Sequence, residues 1–223
     1  MLQKRKFLLF IFLFVGFSSF AQTEIGFRAA MNLAKVRYQN GGSEGNATVL
    51  MDVAVPMKFS LGNSFAIMPE IHFTQKGQRL QFTDAFGNVS KGKYISNFIE
   101  IPLIVSYYYD DEQFCAYAGA GPFVGFEVKR KSINKTNGDK VKNNFPYDKS
   151  FDNDGVKDNR IDVGLCAAGG FGYYMGPGKL ILDVRMNFDM LDSRNYKGER
   201  PSGAGGAFNR CFAFGLGYNF VVN

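Results

Sequence analysis

The stretch Leu180-Ile181-Leu182-Asp183-Val184-Arg185-Met186-Asn187-Phe188-Asp189 decides the fold. Leu180, Leu182, Val184, Met186 and Phe188 fall on one parity, and Asp183, Arg185, Asn187 and Asp189 on the other. A period of two belongs to a β-strand, whose successive side chains point to opposite faces, so one side of this strand is greasy and the other charged. The same rule recurs along the chain. Ile25, Phe27, Ala29, Met31 and Leu33 oppose Gly26, Arg28, Ala30 and Asn32, and Met51, Val53, Val55, Met57 and Phe59 oppose Asp52, Ala54, Pro56 and Lys58. Ile67, Pro69, Ile71 and Phe73 oppose Met68, Glu70, His72 and Thr74, while Ile99, Ile101, Leu103, Val105 and Tyr107 oppose Phe98, Glu100, Pro102, Ile104 and Ser106. Three further segments carry small residues on the second face, around Gly119 and Gly121, Ala168 and Gly170, and Gly215 and Gly217. Eight strands are predicted, and no 3.6-residue stripe argues for a helix.

The connections alternate in length. Residues 60–63, 110–113 and 176–178 are tight turns rich in Gly, Asn, Asp and Pro, whereas 34–48, 77–92, 129–160 and 189–207 are long and polar. Mid-strand Arg28, Asp52, Glu70, Glu100, Glu127, Asp183 and Arg185, among many glycines, suit the crowded polar interior of a narrow barrel better than a water-facing surface. Aromatic residues near strand ends, among them Tyr107, Tyr109, Phe171, Tyr173 and Tyr218, suit two membrane interfaces. These features predict an all-β fold, an eight-stranded antiparallel transmembrane β-barrel with short periplasmic turns and long extracellular loops. Lipid leaves no unpaired sheet edge, so the Ile25 strand must close on the Phe212 strand. A barrel of this size is filled by its own side chains, which argues against a porin.

Of 223 residues, 46% are hydrophobic and 26 are glycine, a composition that folds. The longest apolar run, residues 7–20, is too short for a polytopic helical channel or transporter. Preceded by Lys4, Arg5 and Lys6 and ending in small Ser19 and Ala21, it reads as a signal peptide over residues 1–21, cleaved before Gln22, with 22–223 as the β-barrel domain. The first mature position is not cysteine, so the mature chain is expected to be unlipidated. Setting the three leading bases aside leaves 23 Lys and Arg against 20 acids, a balance that argues against a nucleic-acid partner.

The most specific stretch is Phe98-Ile99-Glu100-Ile101-Pro102-Leu103. With Gly119-Ala120-Gly121-Pro122 and the closing Gly215-Leu216-Gly217-Tyr218-Asn219-Phe220, it resembles the small outer-membrane β-barrels of Bacteroidota described as PorT-like. The segment Phe20-Ala21-Gln22 is similar to signal ends common in that phylum. The resemblance covers essentially the whole mature chain and implies an outer-membrane barrel, not an activity, because the family is functionally heterogeneous. Its namesake is implicated in the type IX secretion and gliding apparatus, which implies a place in such a machine as one alternative.

Arg28, Glu70, Glu100, Asp183 and Arg185 face one lumen, where unpaired charges are severely destabilising, and are expected to form a salt-bridged plug. His72, the only histidine, lies two residues from Glu70 on the same face, a spacing at which a carboxylate can orient an imidazole for general-base catalysis. No serine shares that strand face, so a paired interior histidine is the ordinary reading and a non-enzymatic protein is expected. Cys115, Cys166 and Cys211 are odd in number and expected as inward free thiols, with only Cys166 and Cys211 placed to pair. From 129 to 149 seven bases stand against two acids, a balance suited to lipopolysaccharide phosphates. The following Asp152-Asn153-Asp154-Gly155-Val156-Lys157-Asp158 has the oxygen-rich spacing of a calcium loop, with Asp152, Asp154 and Asp158 as ligands, although a final bidentate Glu is missing and a solvated turn is the alternative. No other cofactor is indicated. The expected role is structural or interactive at the cell envelope, with outer-membrane lipid, lipopolysaccharide and envelope proteins as partners. A lipid-modifying enzyme and a secreted ligand-binding barrel are the remaining alternatives.

Overall fold

The computed structural model describes residues 23–39, 45–83, 89–136, 139–144, 156–196 and 206–222; the expected signal peptide lies outside them. The strands, in chain order, are β1 (Thr23–Tyr38), β2 (Thr48–Leu61), β3 (Phe65–Thr83), β4 (Val89–Asp110), β5 (Phe114–Thr136), β6 (Asp139–Asn144), β7 (Val156–Asp158), β8 (Ile161–Met175), β9 (Gly178–Asp189), β10 (Arg194–Tyr196) and β11 (Ala207–Val222). Eight of them close a ring in the order β4-β3-β2-β1-β11-β9-β8-β5, sealed by the pairing of β4 with β5. Every pairing is antiparallel, and Ile25 meets Phe220 while Leu33 meets Phe212, so the first and last strands join as lipid requires. At two short turns Gly62 and Gly176 take φ of 73° and 62°, the left-handed region that glycine enters without steric cost.

The two parities separate as the alternation predicts. Phe27, Met31 and Leu182 are 68%, 65% and 60% exposed, whereas Arg28, Glu70 and Asp183 are buried inside the ring. A contiguous belt of exposed Val, Leu, Ile, Met and Phe is unfavourable in water and is the surface a bilayer covers. Near the short turns, outward rings pair edge-on or tilted, Phe65 with Tyr107 at 5.5 Å, Phe114 with Tyr173 at 5.3 Å and Tyr218 with Phe220 at 4.9 Å, forming the lower aromatic girdle.

The strands run further than the alternation predicts. β3, β4 and β5 contain 19, 22 and 23 residues. Their ladders continue through Phe82↔Ser90 and Lys91↔Lys135 into segments expected as long loops, 77–92 and 129–160. β6 adds a fourth strand to this projection by pairing with β5, while β7 and β10 form a separate two-stranded sheet. Above the hydrocarbon both faces of a strand meet water, so the apolar–polar contrast fades while the backbone ladder persists. A register shift at Asn97/Phe98 marks the passage from belt to projection.

Candidate functional site

The interior is organised as tiers of ion pairs. At mid-height Arg28 on β1 donates from Nε and Nη2 to Asp183 on β9, each at 2.7 Å, and from Nη1 to Asp52 on β2 at 2.6 Å. Arg185, two residues along β9, holds Glu70 through Nη1 and Nη2 and reaches Asp183 at 3.2 Å. His72 lies between them, with Nδ1 2.9 Å from Asp52 and Nε2 2.6 Å from Glu70. An acceptor on each ring nitrogen is satisfied by the imidazolium, which carries two donors. The tier fits because β11 is small here: a Cβ on Gly215 would fall 2.5 Å from Asp183 Oδ1 and 2.6 Å from Arg28 Nε.

Above this tier, toward the long loops, Lys76 is fully buried with Nζ 2.6 Å from Glu100 Oε1, 2.8 Å from Asp162 Oδ2 and 2.8 Å from Asp189 Oδ1. Three ammonium hydrogens face three carboxylates. Glu100 therefore belongs to this cluster, not to the arginine tier in which the sequence grouped it. The alternation that suggested the plug stops at Thr74, yet the same parity continues through Glu70, His72, Thr74 and Lys76, and following it two residues further would have found the lysine. Toward the short turns, Lys58 and Lys179 share Glu24 Oε1 at 3.0 Å each and both reach Asp110. Between the lower and middle tiers lies an apolar layer that includes Met68, Ile104, Tyr117 and Ile181. These charges sit at the short-turn end, and of their number the sequence placed only Lys58 on the inner face.

Space is unevenly distributed along the barrel, and at the short-turn end a cavity of about 330 Å³ is bordered by Lys58, Ser60, Tyr108 and Asp110. The cavities beside His72 and beside Arg28 hold about 10 Å³ each, roughly one water's room at most. The outer vestibule holds about 540 Å³, bordered by Tyr38, Gln78, Tyr94, Arg130, Asp162 and Arg194 among others. Arg130 bonds Glu127 at 2.8 Å and Asp158 at 2.7 Å on the vestibule wall. Asp158 is thus drawn to a guanidinium, while Asp152 and Asp154, the other two expected calcium ligands, lie outside the described residues. Among the described residues no group of three His, Cys, Asp or Glu side chains is arranged to hold a metal ion. Cys115, Cys166 and Cys211 are buried free thiols.

A closed antiparallel ring with an apolar exterior and an ion-paired interior is the architecture of an outer-membrane barrel, and the sequence model of the outer membrane protein beta-barrel domain matches residues 20–193. The chain belongs to that family. This outer-membrane β-barrel is similar to several solved structures of low sequence identity. Ail of Yersinia pestis, solved in complex with the heparin analogue sucrose octasulfate, is 13% identical over 89% of this chain and 99% of that one, with a TM-score of 0.41. OprG from Pseudomonas aeruginosa is 12% identical over 91% and 96%, TM-score 0.44. The outer membrane protease OmpT from Escherichia coli is 9% identical over 92% and 98%, TM-score 0.38. No curated protein sequence matches the barrel.

Proposed function

We propose that this outer-membrane barrel is neither a pore nor an enzyme but a structural and interaction protein, its interior a rigid plug and its working surface the sheet that rises from the membrane. The observation that carries this reading is the distribution of space: about 10 Å³ beside His72 and about 540 Å³ at the mouth. A lipid acyl chain or peptide cannot approach an imidazole enclosed by Asp52, Glu70 and Arg185, so the Glu70–His72 pair acts as packing and not as a general base. An ion crossing the barrel would have to break the Arg28 and Lys76 clusters in turn, each costing several kcal/mol.

The test is conductance of the refolded protein in planar lipid bilayers, alongside hydrolysis of phospholipid by the same preparation. No stable conducting steps and no hydrolysis sensitive to His72→Gln are expected. Steps that disappear when the plug is altered, or hydrolysis lost with His72→Gln, would overturn the reading.

The resemblance of Phe98–Leu103 to PorT-like barrels supports a narrower version, in which the partners are proteins of a secretion assembly. The sheet of β3, β4, β5 and β6 offers such a partner an edge, because among the described residues β6 pairs only with β5. Site-specific crosslinking from Val141, 53% exposed on β6, tests it in living cells. Reproducible crosslinks to one envelope protein are expected, and crosslinks to lipid alone would remove the narrower version.

A further inference from the structure

The upper parts of β3 and β4 leave the wall and lean over the mouth. Among the described residues the ladder between β2 and β3 ends at Asp52↔Thr74. The two chains meet again at the isolated bridge Asn46↔Arg79, one residue out of step, since the ladder's own register would bring Asn46 to Leu80. In the opening between them β3 is drawn inward. Asn32 on β1 donates from Nδ2 to the Gln75 backbone oxygen at 2.8 Å, and Gln78 donates from Nε2 to Tyr38 Oη at 2.7 Å. β4 follows it. Ile95 has the parity of exterior Ile99 and Ile101, yet it is 5% exposed and packs, with Ile133 of β5, in a cluster with Ala34, Leu50 and Cys211. Those three share the parity of Asn32, Asp52 and Ala213 and so line the inner face of β1, β2 and β11. Lys93, two residues from Ile95, reaches the Val49 backbone oxygen on β2 at 3.1 Å.

Below this leaning sheet lies a fixed point, and between the two a joint. Lys76 is held by carboxylates on β4, β8 and β9. The next residue, Gly77, has φ of 150°, and an added Cβ would fall 2.0 Å from the Tyr94 backbone oxygen, so only glycine fits. On the neighbouring strands the β4–β5 register shifts between Asn97 and Phe98, an irregularity that bends a strand. A few such residues at the end of a firm element are what a hinge is made of. Beyond the joint the ladders from Gly77↔Ile95 to Thr83↔Val89, from Lys91↔Lys135 to Ile95↔Lys131, and between β5 and β6 are continuous, which makes one rigid piece. Its ties to the rest of the mouth include the small apolar cluster, single hydrogen bonds and the partly exposed Arg130–Asp158 pair, contacts of the kind that open locally. We propose that the upper β3–β6 sheet is a lid that pivots about Gly77 and the Asn97/Phe98 shift. Tucked in, it covers Ala34, Leu50 and Cys211. Swung outward, it uncovers that inner face and enlarges the vestibule, one wall of which is its own Gln78 and Tyr94. The ion-paired plug stays in place throughout, so the lid adds a moving part to the mouth of a barrel that remains closed below.

Two native thiols report the movement. Cys166 and Cys211 both pair with Asn187 across adjacent strands and so lie in one row, but Cys211 is clustered with Ile95 whereas Cys166 belongs to the apolar layer of Met68 and Phe123. The experiment takes two single-thiol proteins, Cys115→Ser/Cys166→Ser and Cys115→Ser/Cys211→Ser, refolded into phosphatidylcholine bilayers, and follows their labelling by N-ethylmaleimide with mass spectrometry. Cys211 should label at least about tenfold faster than Cys166, because local opening is far more frequent than opening of the whole barrel. Ile95→Ala removes lid packing and Gly77→Ala disfavours the tucked backbone; each should speed Cys211 labelling at least about threefold and leave Cys166 unchanged. Spin labels at Val141→Cys on the lid and Met190→Cys beyond β9, in protein without the native thiols, separate swinging from leakage past a smaller side chain. A second, longer distance population should appear and grow in both variants. Equal labelling of the two thiols, Cys211 labelling indifferent to both substitutions, or a single distance unchanged by them would overturn the proposal. Each protein is first shown to shift its mobility on boiling. Failure of wild type to shift contradicts the barrel reading itself, whereas a normal shift with no lid signal contradicts only this inference.

Discussion

Arg28 and Asp183, 155 residues apart in the chain, meet inside the barrel through two parallel hydrogen bonds of 2.7 Å each, Nε to Oδ2 and Nη2 to Oδ1. The pair joins β1 to β9 across β11, and so ties the two strands on either side of the last one. Removing one partner leaves the other charged and dry. Asp183→Ala is therefore expected to cost about 3–5 kcal/mol, measured by urea unfolding in phosphatidylcholine bilayers. The double variant Arg28→Leu/Asp183→Leu should cost clearly less than the two single leucine changes added together, the signature of direct coupling.

The same pair fixes a steric requirement on its neighbour. Gly215→Val should reduce the folded, heat-modifiable fraction severely, because even a Cβ would lie 2.5 Å from Asp183 Oδ1. Gly169→Ala is the control. Its nearest neighbour would be Tyr117 O at 3.4 Å, an ordinary contact, and a change within about 0.5 kcal/mol is expected.

The exterior assignment makes an independent demand. Leu182 is 60% exposed near the middle of the apolar belt, so Leu182→Arg should destabilise the barrel by about 2–4 kcal/mol in bilayers. A variant as stable as wild type would mean that this parity does not face lipid.

At the periplasmic rim, burial pushes the Asp110 carboxyl up, but hydrogen bonds and charge from Lys179 and Lys58 more than offset it and hold it below the ordinary aspartate value. A carboxyl lowered in the folded state contributes its stability above the ordinary value and loses it as pH falls through the lowered one. The stability difference between wild type and Asp110→Asn should thus be full at neutral pH and shrink as the medium is acidified below about pH 4. Denaturant midpoints across that range check it, and a pH-independent difference would remove the proposed linkage.

The eight barrel strands were legible because lipid and lumen impose opposite chemistries on alternate residues, as at Leu182 and Asp183. Arg28, Glu70, Asp183 and Arg185 could be grouped for the same reason: charges on an inward parity need partners. Parity says nothing of height, however, and strand tilt and stagger decide which inward charges meet. Glu100 consequently lies with Lys76, not with Arg185, although His72 and Glu100 are cross-strand partners. The projecting sheet is hidden in the sequence for a different reason. Lys91, Lys93, Lys131 and Lys135 alternate with polar or small residues, so a strand wet on both faces looks like a loop until its ladder is seen. The paired cations of Lys91 and Lys135 depend on that ladder and could not be placed from spacing alone.

The most direct measurement is electrophoretic mobility of the membrane-extracted protein with and without boiling. The account predicts that the unboiled protein runs faster, as a compact closed barrel that detergent alone does not open, and that it is recovered from the outer-membrane fraction. A protein recovered in the soluble fraction, with one mobility before and after boiling, would contradict a lipid-embedded barrel and require the apolar parity to be covered in some other way.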